Sequence, residues 1–154
     1  MRLVVAVVGR PRDPDLASAI RGYETRAARY WPLDVREVRE EPGRGGGPEL
    51  VRQREGERLL SAAPAGSRIA ACDETGDELT SRQFAEWLQH AREEARDVTF
   101  LIGGAYGLAP SVRDRADRLL KLAPWTLPHE LARLVLAEQL YRAGTIVRRE
   151  PYHK

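Results

Sequence analysis

The chain has 154 residues, of which 42% are hydrophobic, and a formal net charge of +2. Domains commonly have about 100 to 150 residues, so we expect a single domain over residues 1–154. No apolar run reaches the roughly 20 residues that span a bilayer, and no small-residue cleavage site follows the run LVVAVV. We therefore expect a cytoplasmic protein without membrane contact. The single cysteine excludes an internal disulfide and a clustered thiolate metal site.

Strand-like and helix-like patterns alternate along the chain, which favours an α/β fold with a mostly parallel sheet flanked by helices. RLVVAVV is typical of a strand buried on both faces and ends at Gly9. A helix capped by Asp13 or Asp15 follows to about Tyr30, and LDVREV predicts a weaker, edge-type strand. EEPGRGGGPEL predicts a mobile surface loop, either a plain connector or an arm whose Arg44 contacts a phosphate.

The second half of the chain continues the alternation. A helix begins at Pro48, SRIAACD predicts the third strand, and Thr80 or Ser81 caps a helix over TSRQFAEWLQHAREEA. DVTFLIGG predicts the fourth strand, SVRDRADRLL a helix and KLAPWTL a fifth extended segment. The final helix begins near Pro128, since a missing N–H costs nothing in a first turn, and ends near Val147.

Three predicted strand exits have unusual sequences: CDETGDE, GGAYG and APWTLPH. Ligands of open α/β sheets bind beyond the carboxyl ends of the strands. Gly103 and Gly104 let a ligand approach the backbone, although the spacing matches neither a dinucleotide fingerprint nor a Walker A loop. Pro124 and Pro128 stiffen the third exit, which either offers peptide groups to a flat heterocycle or is an ordinary turn capped by Thr126.

The final helix combines an apolar stripe with charges. At 100° per residue, Leu131, Leu134 and Val135 share one sector, and Glu138 and Arg142 fall inside it. An exposed i,i+4 ion pair contributes only about 0.2 to 0.5 kcal/mol, whereas desolvating each ion costs on the order of several kcal/mol. The pair therefore faces a polar site, lies in a subunit interface, or is a partly solvated pair on the helix flank.

Several separated motifs carry a family resemblance. FLIGGAYGL, WTLPHELARLVLAEQLYRA and EPYHK, with GYETRAARY and CDETGDELTSRQFA before them, resemble the ribosomal RNA large subunit methyltransferase H family over essentially the whole chain. The resemblance implies a SPOUT-type fold with a C-terminal trefoil knot and a homodimer that binds no metal. It also implies methyl transfer from S-adenosylmethionine to N3 of pseudouridine 1915, in the family's numbering, of 23S rRNA in the assembled ribosome. Two alternatives stay open: a SPOUT methyltransferase of another RNA such as tRNA, and a non-catalytic flavodoxin-like binding module.

The same resemblance implies the functional residues. Those implied to hold the cofactor are Cys72, Asp73, Gly103, Gly104, Ala123, Pro124, Trp125, Thr126, Leu127 and Pro128. Those implied to act on the substrate are Glu138, Arg142, Tyr152 and His153, with the tail of one chain completing the site of the other. Those implied to contact RNA are Arg44, His129, Arg148, Arg149 and Lys154. His153 and Glu138 are both candidates for the base. The chain departs from common family sequences at Cys72, where leucine is frequent, and at Pro124-Trp125, in a loop that is usually less constrained.

Overall fold

The computed structural model describes all residues from 1 to 154. Five parallel strands form one sheet in the order β2-β1-β4-β3-β5, with helices on both faces. The elements in chain order are β1 (Leu3–Val8), α1 (Pro14–Ala27), β2 (Leu33–Val38), α2 (Gly47–Ala62), β3 (Arg68–Glu78), α3 (Ser81–Glu93), β4 (Val98–Ile102), α4 (Pro110–Arg115), β5 (Arg118–Lys121) and α5 (His129–Val147). None of the helices has the length and apolar character needed to cross a membrane.

The two central strands, β1 and β4, separate two hydrophobic cores. In β4, Phe100 contributes to the larger core under α1, α3 and α5, while its neighbour Leu101 contributes to the smaller core under α2 and α4. The same alternation in β1 sends Val5 to one core and Ala6 to the other. Both strands are buried throughout, which confirms the prediction from their uninterrupted apolar sequences. The prediction of β2 as an edge strand is also confirmed.

The helix starts follow the capping rules that the sequence suggested. The Asp13 side chain caps α1 by accepting hydrogen bonds from the backbone N–H groups of Asp15 and Leu16. Thr80 caps α3 in a reciprocal capping box with Gln83. These contacts satisfy backbone donors that the first helical turn leaves without an intrahelical partner.

Three predicted elements have the wrong bounds. β3 does not end at the CDETGDE exit but continues to Glu78, and Cys72 and Asp77 both pair with Leu120, so residues 73–76 bulge out of the ladder. The helix predicted over SVRDRADRLL ends at Arg115, and its second half belongs to β5. There the Asp117 backbone and carboxylate exchange hydrogen bonds with the backbone of β3, which draws the chain into the sheet. The extended segment predicted at KLAPWTL is mostly the loop after β5.

Helix α5 is apolar on more than one side. Leu131, Leu134 and Val135, which share a sector with Glu138 and Arg142, are only half-buried, whereas Leu136 and Leu140 are fully buried in the larger core. The side that carries the ion pair is therefore not the side that packs on the sheet. The half-buried leucines and valine form a partly exposed apolar face in the single chain.

Candidate functional site

A cleft of about 760 Å³ opens at the carboxyl edge of the sheet. Its volume lies within the roughly 300 to 1,000 Å³ of small-molecule sites. The predicted cofactor residues that line it are Cys72, Asp73, Gly103, Gly104, Ala123, Trp125, Thr126, Leu127 and Pro128. Of the predicted set, Pro124 alone does not line the cleft, while His129, predicted to contact RNA, does. Three separate segments that the sequence singled out thus meet at one place.

The bulge in β3 forms one wall of the cleft. It carries Asp73 and Glu74 out of the strand ladder, and the Thr126 hydroxyl donates to Glu74 at 3.3 Å, which ties this wall to the loop after β5. Desolvation, followed by the charge of Asp73, raises the pKa of the Cys72 thiol to about 12. Cys72 is therefore a neutral thiol at physiological pH, and any ligand contact with it is one that leucine at this position would make equally well.

The loop after β4 forms the floor, and two of its glycines have no room for a side chain. A Cβ on Gly103 would lie 2.7 Å from the carbonyl carbon of Gly107, and a Cβ on Gly104 would lie 2.8 Å from Oε1 of Glu55. The Gly107 N–H donates to the Gly104 carbonyl at 3.0 Å, and Gly107 has a φ of +77°, a value that favours glycine. The loop is thus a tight turn with its backbone open to the cleft.

Beneath this loop lies Glu55, a residue that the sequence analysis missed. It is 2% exposed; its Oε2 accepts a hydrogen bond from the backbone N–H of Glu41 at 3.1 Å, and its Oε1 has no partner. Desolvation raises the pKa of this carboxyl group. A usable signal was present, because Glu55 stands four residues after Val51 and four before Leu59, on the buried side of α2.

The sequence analysis also missed the cationic side chains of the cleft. Arg52, Arg113 and Lys121 line it, and the buried Nε of Arg52 has no hydrogen-bond acceptor. Arg113 is 3.9 Å from Asp73, which is a loose ion pair. No three His, Cys, Asp or Glu side chains converge as the ligands of a metal ion would.

The four residues predicted to act on the substrate form a second cluster on α5 and the tail, which we define as residues 148–154. The Glu138 Oε1 accepts from Arg142 Nη2 at 2.5 Å and from the Tyr152 hydroxyl at 3.0 Å. Arg142 Nη1 lies 3.1 Å from Nδ1 of His153. A guanidinium only donates, so Nδ1 of His153 accepts and its ring proton lies on Nε2. Burial, followed by hydrogen bonds with Tyr23 and Glu138, raises the pKa of Tyr152, which keeps its hydroxyl protonated.

Aromatic contacts also dock the tail on its own chain. The Tyr152 ring packs on Tyr141 with centroids 4.6 Å apart, and the Arg142 guanidinium lies 4.8 Å from the centre of the Tyr152 ring. Glu150 accepts a hydrogen bond from the Tyr30 hydroxyl. The tail is therefore held by its side chains despite having no regular secondary structure.

Within one chain the structure does not bring this cluster into the cleft. The last residue of α5 that lines the cleft is Ala132, and Glu138 and Arg142 stand six and ten residues further on, which is about 9 and 15 Å along the helix. The predicted RNA contacts are dispersed as well. His129 is at the cleft, Arg148, Arg149 and Lys154 are in the tail, and Arg44 is exposed in the loop before α2.

Comparison with known proteins places the chain in a family. The family model described as "Predicted SPOUT methyltransferase" matches residues 1–153. Proteins named ribosomal RNA large subunit methyltransferase H from Gemmatimonas aurantiaca and Syntrophotalea carbinolica are 63% and 44% identical to it. The first alignment covers 100% of both chains and the second 99% of both.

Solved structures share the fold at low sequence identity. A probable methylase family protein from Haemophilus influenzae has a TM-score of 0.57 at 12% identity, with 99% of this chain and 70% of that chain covered. A probable methyltransferase from Bordetella pertussis has a TM-score of 0.54 at 16% identity, with 92% and 95% covered. The full-length family match and the close relatives establish that this chain belongs to the SPOUT methyltransferases, in the ribosomal RNA large subunit methyltransferase H family.

Proposed function

We propose that the chain transfers the methyl group of S-adenosylmethionine to N3 of a pseudouridine in 23S rRNA, as a cytoplasmic homodimer acting on the assembled ribosome. The observation that carries the proposal is the meeting of the three predicted cofactor segments in one cleft of a chain 63% identical to an rRNA methyltransferase H. The names of the relatives support rRNA as the substrate. The C-terminal trefoil knot stays a prediction.

The residues of the cleft fit the cofactor. When bound, S-adenosylmethionine supplies a methyl group on a positively charged sulfur, which a nucleophile displaces in line. Gly103 and Gly104 present bare backbone to the cleft, and Thr126, held by Glu74, keeps the loop after β5 in place. Holding donor and acceptor in attack geometry contributes up to about 7 to 11 kcal/mol, so rigid walls are the main contribution of this part of the chain.

The partly exposed side of α5 supports the proposed homodimer. Leu131, Leu134 and Val135 leave apolar surface partly exposed, and Glu138 and Arg142 share that side of the helix. A second copy would bury this face, and the ion pair already has its hydrogen bonds, so its desolvation costs less than that of free charges. Two copies also provide a tail that reaches the cleft of the partner, which the tail cannot do within its own chain.

The hydrogen bonds of the cluster support a role for each of its residues. Both Glu138 oxygens accept hydrogen bonds, which suits a residue that orients Arg142 and Tyr152 better than a base. His153 uses Nδ1 as an acceptor and so presents Nε2–H, a donor that stabilises the negative oxygen of a deprotonated pseudouridine. The bound cofactor would supply the methyl group and keep its sulfur as the neutral leaving group, while the N3 proton of the pseudouridine would be lost to water.

Phosphate contacts are assigned to cations outside the cluster. Arg148, Arg149 and Lys154 of the tail, Arg44 of the loop before α2 and His129 at the cleft would hold the RNA backbone, which positions RNA without reading its sequence. Arg148 is already oriented, since its guanidinium lies 4.7 Å from the centre of the Tyr30 ring.

A labelling experiment tests the proposal. Purified protein is incubated with labelled S-adenosylmethionine and either ribosomes or bulk tRNA, and we expect label at N3 of a 23S rRNA pseudouridine only. Deletion of residues 150–154 should abolish transfer, while deletion of Lys154 alone, the matched control, should weaken it only modestly. Label in tRNA and none in ribosomes would refute 23S rRNA as the substrate. Full activity of the variant that lacks residues 150–154 would refute the role of the tail.

The role of His153 is tested by measuring the methylation rate of its variants across neutral pH. His153→Gln keeps an amide donor and should retain more activity than His153→Ala at every pH. If His153→Ala methylates ribosomes as fast as the unchanged protein across neutral pH, the residue has no role in transfer.

A further inference from the structure

Two aromatic rings at the cleft differ from all other aromatic rings in the chain, because they are exposed to solvent. Tyr106 is 51% exposed and Trp125 is 80% exposed, and no other large hydrophobic side chain is exposed. Both line the same cleft although they come from different loops. Every other aromatic side chain packs against a second ring or a guanidinium, while these two make no such contact. Exposed rings gathered at one cleft indicate a binding surface.

Both rings are carried by backbone that is already fixed. Tyr106 stands at the tip of the turn closed by the hydrogen bond between Gly107 and Gly104. Trp125 lies between Pro124, whose φ is restricted by its ring, and Thr126, whose hydroxyl is bonded to the bulge of β3. Little backbone freedom is lost when a ligand contacts such rings, and each ring has only two side-chain torsions to fix, so they are suited to recognition.

The charges around the rings select the kind of ligand. Arg52, Arg113 and Lys121 line the cleft together with two carboxylates, those of Asp73 and Glu74. Arg113 is paired only loosely with Asp73, and the Nε of Arg52 has no acceptor, so cationic groups remain available to a ligand. Aromatic rings combined with cations are the usual means of binding single-stranded nucleic acid, in which bases stack and phosphates pair with cations. The surface therefore fits an unpaired nucleobase with its phosphate.

We propose that Tyr106 and Trp125 form a stacking site for an unpaired base of the RNA substrate that neighbours the methylated nucleotide. The proposal rests on the proposed function, since it needs an RNA at this cleft. It assigns the Trp125 side chain to RNA, while the backbone of the same loop holds the cofactor. The 80% exposure of Trp125 supports this division, because a ring that faced the cofactor would lie inside the cleft.

The decisive experiment separates RNA binding from cofactor binding. Loss of one base stack weakens RNA binding by about 5- to 150-fold. Trp125→Ala should therefore raise the KM for ribosomes by that factor, with kcat less affected and the Kd for S-adenosylmethionine by calorimetry unchanged within about twofold. Trp125→Phe, which keeps a stacking ring, should recover most of the loss. Tyr106→Ala should show a smaller change in the same direction.

Fluorescence supplies an independent readout. Trp31 is buried, and Trp87 is half-buried and packs on Phe84 and Phe100, so Trp125 is the one exposed tryptophan. An RNA stem-loop with an unpaired loop should therefore quench the emission of Trp125 in the unchanged protein and leave the remaining emission of Trp125→Phe unaffected. A fully paired duplex of the same composition is the control and should quench little. Equal quenching by S-adenosylmethionine alone would assign the ring to the adenine of the cofactor and overturn the proposal.

The remaining outcomes also test the stacking site and separate it from the proposed function. An unchanged KM for ribosomes in Trp125→Ala overturns the stacking site, and so does a loss of dimer mass, which would place the ring in a subunit interface. If the unchanged protein quenches with the stem-loop but does not methylate rRNA, the proposed function fails and the stacking site stands. If it methylates rRNA and Trp125→Ala has the same KM, the stacking site fails alone.

Discussion

Tyr152 offers a quantitative test of how the tail is held. Tyr152→Phe removes only the hydroxyl that donates to Glu138 at 3.0 Å. A hydrogen bond to a charged group contributes about 1.5 to 3 kcal/mol, but both side chains are half-buried and water replaces part of the bond, so we expect a loss of about 1 kcal/mol. Tyr152→Ala also removes the stack on Tyr141 and the contact with Arg142, each about 0.5 to 1 kcal/mol. Its expected loss is about 2 to 3 kcal/mol.

Limited trypsin digestion at Arg149 measures this loss as a rate, because cleavage follows the population of the undocked tail when opening is fast. Tyr152→Phe should be cut about 5-fold faster than the unchanged protein, and Tyr152→Ala about 30- to 150-fold faster. Tyr106→Phe, a matched change at an exposed tyrosine, should not alter the rate. Equal rates for Tyr152→Phe and Tyr152→Ala would show that the ring contacts contribute nothing and would refute this account of docking.

Three further predictions concern buried positions. The pKa of Glu55 is raised in the folded state, so its contribution to stability is full below its unfolded pKa and is lost as the pH rises through the folded pKa. In urea unfolding, the stability of Glu55→Gln relative to the unchanged protein should therefore increase between pH 4 and pH 8. A relative stability that decreases with pH would contradict the burial of this carboxyl group. Gly103→Ala should weaken S-adenosylmethionine binding at least about tenfold in calorimetry, because its Cβ meets backbone at 2.7 Å; an unchanged Kd would show that the turn adapts. Gly144→Ala places a Cβ 2.4 Å from the Tyr30 ring and should cost about 1 to 3 kcal/mol, measured as a fall in Tm of about 2 to 4 °C per kcal/mol; no fall would show that Tyr30 moves freely.

Local rules were sufficient for most of the fold. The strands buried on both faces, the caps at Asp13 and Thr80 and the start of α5 depend on neighbours in the sequence, and those predictions are confirmed. The long β3 and the short β5 depend on each other. Asp77 and Glu78 have low strand propensity and are held in β3 by pairing with Leu120 and Lys121 of β5, a contact that no local pattern contains.

The candidate site also has a part that local sequence patterns predict and a part that they do not. Glycine and proline mark the loops of the cleft, because backbone shape needs particular residue types, and the structure brings those loops together. Arg133 could not be found from the sequence, since its burial depends on partners from distant elements. Arg133 is 8% exposed and pairs with Glu24 of α1 and Glu37 of β2. Burial alone would lower its pKa, but the hydrogen bonds with both carboxylates outweigh that effect and raise it.

Helix α5 carries parts of both proposed sites of the dimer, since His129 lies at the cleft of its own chain and the Glu138–Arg142 pair, further along the helix, belongs to the cluster proposed to complete the partner's site. One inserted residue between them would turn the pair by about 100° and move it by about 1.5 Å, which takes both side chains off the face they share with Leu134. Relatives should therefore vary freely in the number of residues in the glycine-rich stretch around Arg44 but keep the count between His129 and Arg142 constant. In this protein the helix sets a spacing, and we expect its length to be as strictly conserved as any functional side chain.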